Sequence, residues 1–291
     1  MRSLAAAEGR RCGTERSSTG NHCQASPIKS TDLCLRAQNA ALVQRFPENM
    51  SFALHSFANC YVDESIHDTH GFAVTAMVFT DATFDQRVAE ALQAAGLELP
   101  REEFKSSARM DLDPRMKVAR DSLISLLTSA ARVAVVVAPF YRPNLGRQVL
   151  QALQSVVVRN GIERNNLQIY CDREVFPSQK EATRLHGLFS ALRGTVIHAH
   201  QDSKLVLGIQ TADAVAHSFG QIVKESIAGT GKLVDVGREG TGYASGQTVS
   251  LGWELLMRYR NSLMTRPVVY DGSEYLAECD PAVLDPQNDD P

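Results

Sequence analysis

Three aspartates stand where an acid needs a reason. Asp63 closes the apolar stretch before it, Asp172 follows the run Leu167 to Cys171, and Asp213 interrupts the helical pattern GIQTADAVAHSFG. An acid among Ile209, Ala212, Ala214, Val215 and Ala216 is costly to bury unless it is paired or bound to a cation. Gln210, Asp213 and His217 are spaced three and four apart, which gives that helix one polar face. Strand ends collect at one edge of a sheet, so carboxylates remote in sequence can meet there. Clustered carboxylates repel one another unless a divalent cation neutralises them, and hard oxygen donors suit Mg2+ or Mn2+. Two such ions about 4 Å apart would activate a water and stabilise the leaving oxygen in phosphodiester cleavage. The plainer reading makes each aspartate a turn residue or helix cap, with Asp213 paired to a Lys or Arg. Only the combination favours a cluster.

The elements that must position these acids follow from periodicity. Residues 1–30 carry few large apolar side chains and read as a disordered tail. Ser30 or Thr31 caps a helix that runs to Phe46 and stops at Pro47. Phe52 to Val62 reads as a strand, Asp63-Glu64-Ser65 as a polar break, and Phe72 to Phe79 as its hairpin partner across the turn-prone stretch His67 to Gly71. Helical spacing occupies 83–96, 114–130, 144–159, 178–192 and 208–225. Short apolar runs lie between them at 133–137, 167–171 and 195–198. Val133 to Val137 is the Val-rich kind of run expected of a strand covered on both faces. Strands first, then strand–helix alternation, predict a mixed sheet flanked by helices. Gly229 to Gly246 reads as irregular. Ser250 to Met264 resumes helical spacing, with apolar surface to pack on the core or to meet another copy in a homo-oligomer. An acidic tail begins at Asp271.

Other chemistries fit less well. Ala228-Gly229-Thr230-Gly231-Lys232 has Ser226 where a phosphate loop needs its first Gly, and it follows a helix rather than a strand. No G-x-G-x-x-G, H-E-x-x-H or G-x-S-x-G occurs. His67 with His70, and His198 with His200, lack helical i, i+4 spacing and read as loop or surface histidines. The six cysteines include no C-x-x-C pair, so neither a zinc ribbon nor a disulfide framework is expected. Of the 291 residues, 44% are hydrophobic and 22% charged, which is ordinary globular composition. The net charge of −3 hides an uneven distribution: five bases and two acids in residues 1–30, seven acids and no base in residues 270–291. That balance neither requires nor excludes a polyanionic partner. No apolar run approaches the length of a membrane span, and the N-terminus lacks the apolar stretch of a signal peptide, so a cytoplasmic protein is expected.

YVDES at 61–65, EEFKSS at 102–107, IYCD at 169–172 and the DSK…GIQTADAVA stretch at 202–216 occur in that order. Together they resemble the bacterial family called domain of unknown function 3800, over about residues 55 to 226, with GIQTADAVA the most specific piece. The resemblance implies an RNase H-like fold and metal-dependent nuclease activity, often in mobile-element or defence settings. It makes Asp63 the first metal ligand, Glu103 a second ligand or water-orienting group, and Lys105 a contact to the scissile phosphate or an anchor for Glu103. Asp172 and Asp213 complete the carboxylates, with Gln210 orienting Asp213 or a water. Glu64 should point to the opposite sheet face and joins the set only if the backbone turns. Ser106 and Ser107 are phosphate contacts or plain loop residues. The chain departs from the family pattern at Ile66, where Gly is usual, and at Thr211, where Leu is common.

The expectation is therefore an α/β, RNase H-like mixed sheet flanked by helices. Its layout is a tail over 1–30, a helix over 31–50, the RNase H-like domain over 51–227, a C-terminal extension over 228–270 and an acidic tail over 271–291. The expected activity is phosphodiester hydrolysis of nucleic acid with Mg2+ or Mn2+ held by Asp63, Glu64, Glu103, Asp172 and Asp213, assisted by Lys105 and supported by Gln210 and His217. The alternative is a non-catalytic binding or assembly protein on the same fold. Hydrolysis of a nucleotide or small phosphoester would use the same ligands.

Overall fold

β-Branched and aromatic residues fill the strands, and the order in which those strands pair decides where the acids come to rest. The computed structural model describes residues 56–140, 144–237 and 244–264, together with strands at 268–270 and 273–275. These belong to the unit Phe52–Pro291. The expected tail over 1–30, the helix over 31–50 and the acidic residues beyond 275 lie outside the described residues.

β1 (Asn59–His67) and β2 (Phe72–Thr80) form an antiparallel hairpin in unbroken register, from Asn59↔Thr80 to His67↔Phe72. A 3-10 turn over Asp68–His70 joins them, and Gly71 takes the left-handed conformation at φ 72° that closes it. The expected break at Asp63-Glu64-Ser65 does not exist. These residues pair with Ala76, Thr75 and Val74, and the ladder hydrogen bonds outweigh their weak strand preference. β3 (Arg132–Pro139) lies antiparallel to β2, while β4 (Gln168–Asp172) and β5 (Val196–Gln201) run parallel to β1. The result is a five-stranded mixed sheet in the order β3-β2-β1-β4-β5, with β2 alone reversed.

The helices are α1 (Phe84–Ala94), α2 (Pro114–Ala130), α3 (Leu145–Arg159), α4 (Gln179–His186), α5 (Gly208–Ala228) and α6 (Leu251–Tyr259). Asp113 caps α2 by accepting from the Arg115 N–H, with Pro114 in the first turn; Ser250 caps α6 by accepting from the Trp253 N–H. α4 is shorter than its periodicity suggests. It ends at Gly187, and a separate 3-10 turn takes up 190–192. The stretch expected to be irregular contains a small hairpin, β6 (Leu233–Asp235) with β7 (Thr248–Ser250). A second hairpin, β8 (Val268–Tyr270) with β9 (Ser273–Tyr275), crosses the expected start of the acidic tail. Among the described residues no helix is long and apolar enough to cross a membrane.

Two apolar layers sandwich the sheet. One face meets α1, α2, α5 and α6; the other meets α3 and α4. α5 lies against β1 and is seated at its first residue. A Cβ on Gly208 would stand 2.4 Å from the buried Tyr61 ring, and the Gly208 N–H donates to Asp85 Oδ1 at 2.6 Å. Only glycine allows that approach. Gly208→Ala is expected to cost about 1–3 kcal/mol through forced displacement of helix or ring, read as a lower midpoint in thermal or urea unfolding. An unchanged midpoint would contradict this seating.

Candidate functional site

The pleat of β1 sorts its side chains. Tyr61 belongs to the core under α5, Cys60 and Val62 to the core under α3 and α4, so Asp63 falls on the α5 face and Glu64 on the other. On β4, Tyr170 lies on the α5 side and Ile169 and Cys171 on the opposite one, which puts Asp172 on the α5 side. The last parallel pair between these strands is Val62↔Cys171, so Asp63 and Asp172 are the next residues on adjacent strands and share a face. Beyond them β4 ends, and β1 continues with only β2 beside it. Asp213, in the second turn of α5, reaches this place from the helix.

The carboxylates sense one another there. Burial, then the charges of Glu64, Asp213 and Asp172, hold the Asp63 carboxyl well above the ordinary aspartate range; the Glu64 N–H, 2.8 Å from Asp63 Oδ1, opposes the shift. Burial also raises Asp172, offset in part by the Glu174 N–H and by the charge of Lys105. Glu64 is seated beside Cys171, whose buried thiol it helps to push up. Its charge therefore reaches Asp63 from the far side of the sheet, as the pleat requires.

A loop from the other edge of the helix layer completes the arrangement. The Phe104 N–H donates to Gln210 Oε1 at 2.9 Å, and Gln210 Nε2 donates to the Ser203 carbonyl at 2.7 Å. The Ser106 N–H donates to Asp213 Oδ2 at 2.9 Å. Ser203 Oγ donates a short hydrogen bond to Glu103 Oε1. One buried amide, Gln210, thus ties the segment around 103–106 to the one around 202–203. Satisfying both ends of a buried amide stabilises each link; leaving either open would cost about 1–3 kcal/mol. The Ser106 hydroxyl is buried beside Asp213 and has no hydrogen-bond partner among the described residues.

Lys105 joins the two halves. Its Nζ lies 2.8 Å from Glu103 Oε1, and its side chain is 54% exposed against 13% for Glu103. Burial alone would lower the ammonium, but Glu103, reinforced by the charges of Asp213 and Asp63, holds it above its usual range. Lys105 therefore lies within the field of Glu103, Asp213, Asp63 and Asp172 and serves as their counter-charge. Glu103 is linked to the aspartates through the charge of this lysine. His217, one turn beyond Asp213, is half-buried and pushed toward the neutral form by burial, against the pull of Asp213. His67 packs on Phe72, accepts or donates to Ser65 Oγ at 3.1 Å, and is pushed down to about 4 by burial and by Lys224.

The structure therefore sets Asp63, Asp172, Asp213 and Lys105 within reach of one another's charge, links Glu103 to Lys105 and Gln210 to the loop that carries it, and leaves Glu64 on the reverse face. Among the described residues no three His, Cys, Asp or Glu side chains converge closely enough to form a ready metal-binding group. Sequence reasoning missed Ser203, although it lies in the DSK segment; of the two roles it offers Lys105, the pairing with Glu103 is the one seen in the structure. It also missed a bulge on β5: the register moves from Tyr170↔His198 to Asp172↔Gln201, and His200 takes the left-handed conformation at φ 57°. Bulges gather beside functional sites because they re-aim side chains; here one sets Gln201 opposite Asp172. No family model matches this chain, and no curated protein matches it either.

A carboxyl whose native pKa is raised binds more protons folded than unfolded, so its ionisation weakens the native state as pH rises above the ordinary range. Asp63→Asn removes that cost. The variant is expected to melt above wild type at pH 7 by the equivalent of about 1 kcal/mol, the gap closing as pH falls toward 4. A variant less stable than wild type at pH 7 would contradict the repulsion.

Proposed function

We propose that this chain is a divalent-metal-dependent phosphodiesterase acting on nucleic acid, a member of the domain of unknown function 3800 family with an RNase H-like fold. The observation that carries the reading is convergence: the segments 102–107 and 202–216 are joined by the Phe104–Gln210, Ser106–Asp213 and Ser203–Glu103 hydrogen bonds, and Asp63, next to Asp172 on the adjacent strand, feels the charges of Asp213 and Asp172. Neighbouring carboxyls of which two, Asp63 and Asp172, are held above the ordinary aspartate range form an arrangement a hard cation relieves. The buried, unpartnered Ser106 hydroxyl adds a neutral oxygen donor at the same place.

Asp63, Asp172 and Asp213 would hold Mg2+ or Mn2+, which when bound supplies a water of lowered pKa and a Lewis acid for the leaving oxygen. Lys105 binds a non-bridging phosphate oxygen, and Glu103, fixed by Ser203, keeps that ammonium charged and aimed. Gln210 holds the loop on α5 so that Asp213 and Lys105 stay in register. His217, pushed toward the neutral form by burial, stands one turn from Asp213 and within the field of its charge.

A second reading rests on Lys105 itself. If its ammonium is the permanent counter-charge, the acids form a structural cluster and the chain is a non-catalytic binding or assembly protein. Metal-dependent stability separates the two. A hundredfold excess of Mn2+ over its Kd should raise the wild-type midpoint by about 5 °C. Asp63→Asn and Asp213→Asn should abolish most of that rise. Lys105→Met should keep or enlarge it, because the competing ammonium is gone, while losing cleavage of a labelled oligonucleotide. No rise in wild type, with Lys105→Met simply less stable at neutral pH, would favour the structural reading.

A further inference from the structure

The face of the sheet under α5 is covered unevenly. Its buried core draws on β1, β2 and β3 but on no residue of β4 or β5, although the reverse face of those two strands is sealed by Ile169, Cys171, Ile197 and Ala199. On the uncovered side, Tyr170 and His198 are half-buried and Val196 is 44% exposed.

Three rings stand in a row across that surface. Tyr61 stacks on Tyr170 with centroids 5.5 Å apart and planes 20° apart; Tyr170 stacks on His198 at 4.8 Å and 15°. The row follows the strand register, Tyr61↔Tyr170 and Tyr170↔His198. It starts in the core and ends at β5, the edge strand, so His198 has one face against Tyr170 and no further strand of the sheet beside the other. The imidazole is held in that plane. Gln168 Nε2 donates to the Asn166 carbonyl at 2.9 Å, which leaves Oε1 as acceptor for His198 Nε2–H, also at 2.9 Å. A locked ring at the end of a stack costs little entropy when a further planar group adds to it.

We propose that this open end is a base-stacking subsite for single-stranded nucleic acid, in which an unpaired base extends the row beyond His198. The proposal rests on the hydrolytic reading above and names its substrate class. Bases in a duplex spend their faces on one another, whereas an unpaired strand offers them freely. Positive charge is at hand at the acid end: Arg173, 59% exposed though paired with Asp202, follows β4, exposed Lys204 follows β5, and half-exposed Lys105 lies in the field of the acids, so a phosphate backbone held there could send a base back toward His198. Asp172 lies two residues beyond Tyr170 on the same face of β4, so a base past His198 would stand roughly 12 Å from it by strand geometry. One bound strand can reach both places.

Fluorescence anisotropy with EDTA present, so that no cleavage occurs, tests this on the full chain. Labelled oligodeoxythymidylate and oligouridylate twelve-mers, and a duplex of the same length, are the probes. Wild type should bind a single strand more tightly than the duplex, and the two single strands compared show whether DNA or RNA is preferred. His198→Ala and Tyr170→Leu should each weaken single-strand binding about tenfold, and His198→Phe should restore it. Wild-type affinity in both disruptive variants, or a wild type that prefers duplex, overturns the proposal. The Mn2+ melting shift, measured on the same samples, separates the two readings. If wild type shows no shift while His198→Ala still loses affinity, the hydrolytic reading fails and the subsite stands. A normal shift with unaffected binding in both disruptive variants means that the subsite alone fails.

Discussion

Carboxylates on two adjacent parallel strands and on the helix laid across them lie within range of one another's charge, and that repulsion must be answered by positive charge. That constraint explains features which otherwise look unrelated. Lys105 is held charged beside Glu103 and within the field of Asp63, Asp172 and Asp213. Gln210, buried in a helix that is apolar on most sides, spends one end of its amide on the loop that carries this lysine and the other on the Ser203 segment, tying the two together. Asp213 accepts the Ser106 N–H from the same loop. Gly208 lets α5 approach the Tyr61 ring closely, and Asp85 receives the Gly208 N–H at the helix start. A bulkier residue at 208 would lift Asp213 away from β1 and dissolve the cluster.

The sheet topology supplies the rest. β1 has β4 beside it only as far as Val62↔Cys171, so Asp63 lies inside a long strand on its β2 side and at a strand end on its β4 side. That dual character combines a rigid backbone with an open flank. The bulge at His200 and the uncovered α5 side of β4 and β5 extend the same opening away from the acids.

Much of this was legible in the residues themselves. Asp213 declared itself by its apolar neighbours, and Asp172 by ending a strand that the structure closes at the same residue. The mixed sheet followed from hairpin-like strands succeeded by strand–helix alternation. Asp63 reads as a strand end but lies inside β1, because the polar trio Asp63-Glu64-Ser65 resembles a break until the partner strand supplies its hydrogen bonds. α4 kept helical spacing past Gly187, where the backbone turns instead. β6 and β7 have three residues each, too short for any period to register. The union of Glu103 with Ser203, the central position of Lys105 and the Tyr61–Tyr170–His198 row depend on loop path and register, which local sequence does not encode.

Carboxyl 13C NMR titration of the aspartates, with and without Mg2+, tests the central claim most directly. The account predicts an Asp63 resonance that titrates well above the ordinary aspartate range in the metal-free protein, shifts higher still in Lys105→Met, and moves downward when Mg2+ is added. Asp63 titrating near an unperturbed aspartate, indifferent to both the lysine and the ion, would contradict it.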